Sequence, residues 1–376
     1  MSRMAERIIL ASPREPCGAT WLINCLLMLG IKTYRVGPQG QEMWIKCSQG
    51  WQLDSRENIL KQWLPVLSQQ EHFEFRDQLE VQWLHEWPTD ADWRHRVLYF
   101  IRDPRDAMYS RYRREGASLP FNDYLAFPDA FSLLNKIDHW RAFNETWMAH
   151  PNMKVVRFED YKADALQLLR QAVDWIGLSR SENELIDAVE SSSFEKAAQA
   201  EREYLKIVGS TQVINRAGKP GEWHTLMDET QAMAEISTRC APVLHHFGYE
   251  APSGTENSMG YRPQFTHLVH FASIRLTSQM KKASACEDLS LQSLIARLEP
   301  QLFKAAGLSN SEAQVMLDRL SEFARSAGWH QSLATLGRLY DALGIKRATW
   351  WSNQKSRLRG ALRRLSCMVA PKRKVS

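Results

Sequence analysis

The stretch IILASPREPCGATWLINCLLMLGI, residues 8 to 31, holds a short apolar run, a proline-rich break and a second, longer apolar run. The run at residues 8–11 is short and rich in isoleucine, which is typical of a buried parallel strand. Residues 21–29 are rich in leucine and methionine, which is typical of a helix. The break therefore predicts a strand-to-helix turn that is stiffened by its prolines and bent at Gly18.

This turn exposes the first backbone amides of the predicted helix. We expect the N–H groups of Gly18, Ala19, Thr20 and Trp21 to be unpaired, so that with the helix dipole they would attract an anion. The Gly-Lys-Ser/Thr ending of a Walker A motif is missing. The stretch by itself is compatible with a phosphate-binding loop or with an ordinary strand-to-helix turn.

The composition is that of a globular protein. The chain has 376 residues, of which 44% are hydrophobic and 24% are charged. Its longest apolar stretch, residues 21–31, is too short to span a bilayer, and the N-terminus lacks the pattern of a secretory signal. We therefore expect a cytoplasmic protein.

Neither a disulfide framework nor a metal site is expected. The cysteines, at positions 17, 25, 47, 240, 286 and 367, show no paired spacing. The histidines that lie close together in sequence, His245 with His246 and His267 with His270, have no cysteine or acidic partner at ligand spacing.

The pattern of strands and helices predicts the fold class. A buried strand at Val97–Ile101 leads into Arg102, with Asp103-Pro104 as the cap and first position of a helix. Further strands are expected at 33–37, 43–47 and 153–158, and further helices at 56–67, 131–149 and 160–176. This alternation predicts an α/β protein with a central parallel sheet flanked by helices. Ligands bind at the carboxyl ends of such strands, where residues 12–20, 85 and 102 would meet.

The charge is unevenly distributed between the two ends of the chain. Residues 1–254 contain 29 Lys/Arg and 35 Asp/Glu, whereas residues 255–376 contain 19 and 8. The small polar stretch APSGTENSMG, residues 251–260, lies between them. We expect one domain over residues 1–253, a linker over 254–262 and a basic, all-helical extension over 263–376.

Four motifs, in this order, resemble those of sulfotransferases that use 3′-phosphoadenosine 5′-phosphosulfate (PAPS). They are SPREPCGATW at 12–21, IRDPRDAMYS at 101–110, VVRFEDYKAD at 155–164 and INRAGKPGEWHTL at 214–226. The resemblance covers about residues 6 to 250 and implies the P-loop-like fold of that family. It implies transfer of a sulfuryl group from PAPS to a hydroxyl or amine, without a metal.

The resemblance also implies which residues bind the co-substrate. The first motif, with Gly18, Ala19, Thr20 and Trp21, would hold the 5′-phosphosulfate. Arg102 and Ser110 would bind the 3′-phosphate from two sides, although a surface ion pair is the alternative for Arg102. Phe158 replaces a tyrosine on the adenine side. Arg216 and Gly218 match a family Arg-Lys-Gly loop that closes over the 3′-phosphate, with Ala217 in place of the lysine.

For catalysis, His85 in LHEWP stands at the place of the family's histidine base, with Glu86 as the alternative base. The family's lysine in the first motif is replaced by Pro16, and Arg14 could donate in its stead. If Arg14 only pairs with Glu15, the chain would be a PAPS- or nucleotide-binding regulator with little catalysis. A nucleotide kinase is the rival enzyme class.

The acceptor and the role of the C-terminus are less determined by sequence. Six tryptophans lie between the first two motifs, at 44, 51, 63, 83, 87 and 93, half or more of which we expect in the core. They favour a glycan or lipid-linked acceptor over a small phenol.

The C-terminal segment, residues 342–376, carries ten Lys/Arg and no acid. If it is helical, Leu358, Leu362, Leu365 and Val369 lie on one face and Arg359, Arg363 and Arg364 on the opposite face. This amphipathic pattern fits peripheral contact with an anionic membrane or docking on the protein itself, and less well nucleic acid.

Overall fold

We describe a computed structural model of the chain. It describes residues 6–36, 41–89, 91–130, 132, 134–209, 213, 218–226, 229–250, 295 and 298–346. The described residues belong to two compact units, one ending at residue 250 and one beginning at residue 295. The expected linker at 254–262 and the basic segment after Lys346 lie outside the described residues, so the domain boundaries stay a prediction.

The first unit is built on a parallel sheet. Its strands are β1 (Glu6–Ala11), β2 (Lys32–Tyr34), β5 (Leu79–Leu84), β6 (Arg96–Ile101) and β7 (Met153–Arg157). They are ordered β2-β5-β1-β6-β7, and each neighbouring pair is parallel. A separate antiparallel hairpin joins β3 (Trp44–Cys47) and β4 (Gly50–Leu53). The predicted fold class is confirmed.

Helices cover both faces of this sheet. They are α1 (Ala19–Met28), α2 (Val66–Gln69), α3 (Pro104–Glu115), α4 (Phe121–Ala126), α5 (Lys136–Met148), α6 (Phe158–Ala163), α7 (Ala165–Trp175), α8 (Glu182–Ser191), α9 (Phe194–Val208), α10 (Thr230–Arg239) and α11 (Ala241–His246).

Alternate residues of β1 show how the two layers form. Ile8 and Leu10 belong to a buried cluster with side chains of α1, α7 and α8. Ile9 and Ala11 belong to a second buried cluster, with side chains of α3, α5, α10 and α11. Side chains alternate between the faces of a strand, and both faces of a central parallel strand must be covered. The continuous apolar run at residues 8–11 is the sequence sign of this double burial.

Two predicted helices are interrupted. The segment predicted as a helix at 56–67 forms a 3₁₀ helix at Ser55–Gln62 and then the short α2, which begins after Pro65. Proline lacks the N–H that a continuous helix needs. The predicted helix at 160–176 is divided at Asp164, whose carboxylate caps α7 by accepting from the Gln167 amide. The helix predicted at 131–149 begins later, at Lys136, after an Asn135 cap.

The second unit is helical where it is described. It contains α12 (Pro300–Ala305), α13 (Asn310–Ala327) and α14 (His330–Ala342). Ser309 and Glu312 form a capping box at the start of α13. The hydroxyl of Tyr340 on α14 donates to Asp318 on α13 at 2.6 Å. The expected helical extension is confirmed in this range.

Candidate active site

The turn after β1 brings a helix end to the carboxyl edge of the sheet. Gly18 lies just before α1 with φ +90°, and a Cβ added there would lie 2.8 Å from Cδ2 of Phe158. A larger residue is excluded both by the left-handed backbone and by this contact. No side chain caps α1. The start of the helix therefore presents backbone donors for an anion.

The first turn of α1 differs in one respect from the prediction. The Trp21 amide is not free, because it donates to the Gly18 carbonyl at 2.9 Å. The positive φ of Gly18 turns the chain so tightly that this bond closes. Ala19 is buried and Thr20 half-buried, and the Trp21 ring stacks on Tyr161 with centroids 4.2 Å apart. The Ala19 amide contacts the Cys17 thiol, so the donors left for an anion are the amides of Gly18 and Thr20.

Arg102 follows β6 and connects the loops around it. Its side chain is buried, and its guanidinium donates to the Lys219 carbonyl at 2.8 Å and approaches the Pro16 carbonyl at 3.5 Å. It also lies over the Phe158 ring, 4.4 Å from the centroid. The surface ion pair considered for Arg102 is not what forms: its carboxylate neighbour is the buried Asp106, at 3.5 Å. Among the described residues its Nε has no hydrogen-bond partner.

A second loop, residues 218–226, packs against the start of α3. Gly218 has φ +59°, and a Cβ there would lie 2.9 Å from the Phe194 ring. Asp106 accepts from the amides of Gly221 at 2.7 Å and Trp223 at 2.9 Å. Arg105 pairs with Asp103 and lies over the Trp223 ring. Arg216 lies outside the described residues, so its predicted role is not tested.

Ser110 lies on α3, eight positions after Arg102. Its side chain is half-buried. Within the described ranges the hydroxyl has no hydrogen-bond partner and no contact that joins it to Arg102, so its role at the 3′-phosphate stays a prediction.

His85 follows β5 and touches the first loop. Its Nδ1 lies 3.0 Å from the Ser12 carbonyl oxygen and 3.2 Å from the Ser12 hydroxyl. Because a carbonyl only accepts, Nδ1 carries the proton in this contact and Nε2 keeps its lone pair. The edge of Trp83 packs on the imidazole, with centroids 5.1 Å apart. His85 thus has the tautomer that a base acting through Nε2 needs.

The environment of His85 keeps the imidazole neutral. Burial, followed by the nearby positive charge of Arg14, lowers its pKa to about 4. An unperturbed imidazole titrates near ~6.5. The pKa of His85 departs from this because the ring packs against Ser12 and Trp83.

Arg14 lies beside His85, but its carboxylate partner is not the expected one. Its guanidinium is 3.7 Å from the carboxylate of Glu86. Glu15, the partner considered from sequence, is buried and instead accepts from Arg111 of α3 at 2.7 Å. Arg111 also bonds Glu115 and lies 3.4 Å from Asp129. Glu15 therefore anchors the loop to α3, while Arg14 pairs with Glu86 and places positive charge near His85.

Sequence reasoning missed several residues at this edge. Tyr161 stacks on Trp21, and Lys162 lies over the rings of Phe158, Tyr161 and Phe194. Tyr161 and Lys162 belong to a quoted motif, RFEDYKAD, and helical spacing from Phe158 would have indicated them. Phe194 has no such signal, because only tertiary folding brings it to Gly218.

Within the described ranges, no group of three or more His, Cys, Asp and Glu side chains could hold a metal ion. No helix of the same ranges combines the length and apolar character needed to cross a bilayer.

The chain belongs to the sulfotransferase family, whose sulfotransferase domain matches residues 6–248. The sulfotransferase prediction is thereby confirmed.

Relatives and solved structures show similarity at low identity. Mouse sulfotransferase 2A6 is 22% identical over 249 residues, which are 61% of this chain and 82% of the mouse protein. A retinol dehydratase complex with retinol and PAP is 17% identical with a TM-score of 0.42, over 70% of this chain and 85% of that one. Mouse sulfotransferase SULT7A1 complexed with PAP is 14% identical with a TM-score of 0.40, over 63% and 84%.

Proposed function

We propose that this enzyme transfers the sulfuryl group of PAPS to a hydroxyl or amine acceptor. The observation that carries this proposal is the position of Arg102, a buried cation between the first loop and the loop at 218–226. When bound, PAPS supplies an activated sulfuryl group on its 5′-phosphate and a 3′-phosphate for recognition.

The residues present fit this co-substrate. The amides of Gly18 and Thr20 suit the 5′-phosphosulfate, with the Ala19 amide, which contacts the Cys17 thiol, beside them. Arg102, whose buried Nε has no partner among the described residues, and the Ser110 hydroxyl suit the 3′-phosphate. Phe158 and Trp21 are proposed for the adenine side of the site; both rings are buried, Trp21 stacked on Tyr161 and Phe158 in contact with Arg102. From the sequence, Arg216 and Gly218 would complete the 3′-phosphate site.

His85 is proposed as the general base. With Nδ1 bound to the Ser12 carbonyl, its Nε2 can accept the proton of the acceptor hydroxyl. Glu86 is the weaker candidate, because its side chain is 65% exposed and lies beside Arg14. Arg14 supplies positive charge next to His85, and as a guanidinium it donates hydrogen bonds without giving up its proton.

For the acceptor we propose a glycan or a lipid-linked hydroxyl. Of the six tryptophans, Trp44 and Trp83 are buried, and Trp51, Trp63 and Trp87 pack partly exposed against the core. Trp87, two positions after His85, meets His139 edge-on with centroids 6.0 Å apart. Trp87 is half-buried, and we propose its ring as an aromatic contact for the acceptor.

We further propose a cytoplasmic enzyme that contacts anionic membranes through residues 342–376. This rests on the ten basic residues and the amphipathic pattern in that segment, which lies largely outside the described residues.

Calorimetry on the full chain tests the co-substrate. We expect binding of 3′-phosphoadenosine 5′-phosphate (PAP) with clear preference over ATP, followed by sulfuryl transfer from PAPS in a panel of glycan and lipid acceptors. Preference for ATP would contradict the proposal. Tight PAP binding without transfer would favour the regulator, an alternative supported by Pro16 at the lysine position.

A further inference from the structure

Lys162 on α6 carries a charge that the proposed function does not use. Its ammonium nitrogen lies 5.1 Å from the ring centroid of Tyr161, 5.3 Å from that of Phe194 and 6.0 Å from that of Phe158. The part of the chain that the structure describes gives this ammonium neither a hydrogen bond nor an ion pair. It is a cation over aromatic rings with its donors open.

The same Phe158 ring also contacts Arg102. The guanidinium carbon of Arg102 lies 4.4 Å from that ring's centroid. Lys162 is exposed, yet partial desolvation lowers its pKa; the carboxylate of Glu195 opposes this, and the positive charge of Arg102 adds to it. Two cations close to one ring repel each other, and an anion within reach of both would relieve that repulsion.

The loop at 218–226 meets the same cluster. Gly218 approaches the Phe194 ring so closely that a Cβ would lie 2.9 Å from it, and the Lys219 carbonyl accepts from Arg102. Phe194 is thus in contact with both Lys162 and the glycine that follows Ala217. Ala217 stands where the Arg-Lys-Gly loop of the sulfotransferase family carries a lysine, so the charge at that position is missing, although Lys219 follows two positions later.

We infer that Lys162 is a further ligand of the 3′-phosphate and supplies from α6 the positive charge that Ala217 lacks. This inference rests on the proposed function, because it takes PAPS as the co-substrate. Lys162 donates to the phosphate from the side of Phe194, while Arg102 donates from the end of β6.

The test compares two nucleotides that differ only in the 3′-phosphate. Calorimetry on the full chain measures the dissociation constants of PAP and of adenosine 5′-phosphate for the native protein, Lys162→Met and Lys162→Arg. The control is Lys206→Met, which replaces an exposed lysine near the C-terminal end of α9, away from Phe194 at the start of that helix. We expect Lys162→Met to weaken PAP binding roughly tenfold and to leave adenosine 5′-phosphate binding unchanged. Lys162→Arg should restore most of the affinity, and Lys206→Met should have no effect.

The outcomes separate this inference from the proposed function. If the native chain binds PAP but Lys162→Met binds it equally well, the inference is wrong and the proposed function stands. Equal weakening of both nucleotides would assign Lys162 to the base or to the packing of the rings, which also overturns it. If the native chain does not prefer PAP to adenosine 5′-phosphate, the 3′-phosphate site itself is contradicted.

Discussion

Asp106 accepts a hydrogen bond of 2.7 Å from the backbone amide of Gly221, which joins the start of α3 to a loop 115 residues further along the chain. The other oxygen of the same carboxylate accepts from Trp223 at 2.9 Å. The carboxylate is fully buried and lies 3.5 Å from Arg102. One side chain therefore fixes both the loop at 218–226 and the arginine proposed for the 3′-phosphate.

Replacing Asp106 should loosen both the loop at 218–226 and the side chain of Arg102. Asp106→Ala leaves two amides without their acceptor and Arg102 without its counter-ion, so we expect about tenfold weaker PAP binding and faster proteolysis within residues 218–226. Calorimetry and limited proteolysis measure these effects. Asp174→Ala, on the exposed side of α7, is the control. Native proteolysis in Asp106→Ala would show that the loop is held by other contacts.

Arg102→Ala should weaken PAP binding by about 1.5 to 3 kcal/mol, since a charge-assisted hydrogen bond is lost. Ser110→Ala should weaken PAP binding by less, because a neutral hydroxyl contributes less binding free energy than a guanidinium. Isothermal titration gives both values, with Arg170→Ala, which pairs with Glu182 on α8, as the matched arginine control. An unchanged dissociation constant for Arg102→Ala would place the 3′-phosphate elsewhere.

His85→Ala should lower turnover about a hundredfold or more while PAP affinity is nearly unchanged, because the lost group acts in proton transfer. Steady-state kinetics with PAPS and one active acceptor, together with PAP titration, separate these two effects. Glu86→Gln is the comparison variant and should retain most of the activity. Retained turnover in His85→Ala combined with loss in Glu86→Gln would assign the base to Glu86.

The pH dependence should reflect the lowered pKa of His85, about 4. The neutral imidazole is the base, so kcat/KM should hold through mildly acidic pH and fall only as pH approaches that value. Between the unfolded pKa near ~6.5 and the folded one, the unfolded chain binds a proton that the folded chain excludes, so stability decreases as pH falls through this window.

Arg14→Gln should raise the pKa of His85, because one of the two main causes of its lowering is removed. NMR titration of the imidazole in the free enzyme measures this without relying on turnover. A native His85 that titrates near ~6.5 would contradict the burial seen here.

Much of the sheet and both phosphate-side turns could be predicted from sequence, because apolar runs and their breaks are local signals. The runs at 8–11 and 97–101 became β1 and β6, and Gly18 and Arg102 came to the same edge. What could not be predicted are pairings between distant segments. The contacts of Asp106 with Gly221 and of Glu15 with Arg111 depend on how the layers pack. The pKa of His85 likewise follows from burial, which no spacing reveals.

The final prediction concerns the basic C-terminal segment. Each basic residue near an anionic bilayer contributes roughly 1 kcal/mol, so ten such residues could hold the protein at a membrane surface, and salt should release it. We expect the full chain to co-sediment with vesicles containing phosphatidylserine at low salt and not with neutral vesicles. A chain ended at Gly254 should lose this binding and still bind PAP. An insoluble shortened chain would instead indicate that the extension packs on the catalytic domain. If the full chain is soluble but does not bind anionic vesicles at any salt concentration, the membrane proposal is wrong and binding of a protein partner becomes the better explanation of the segment.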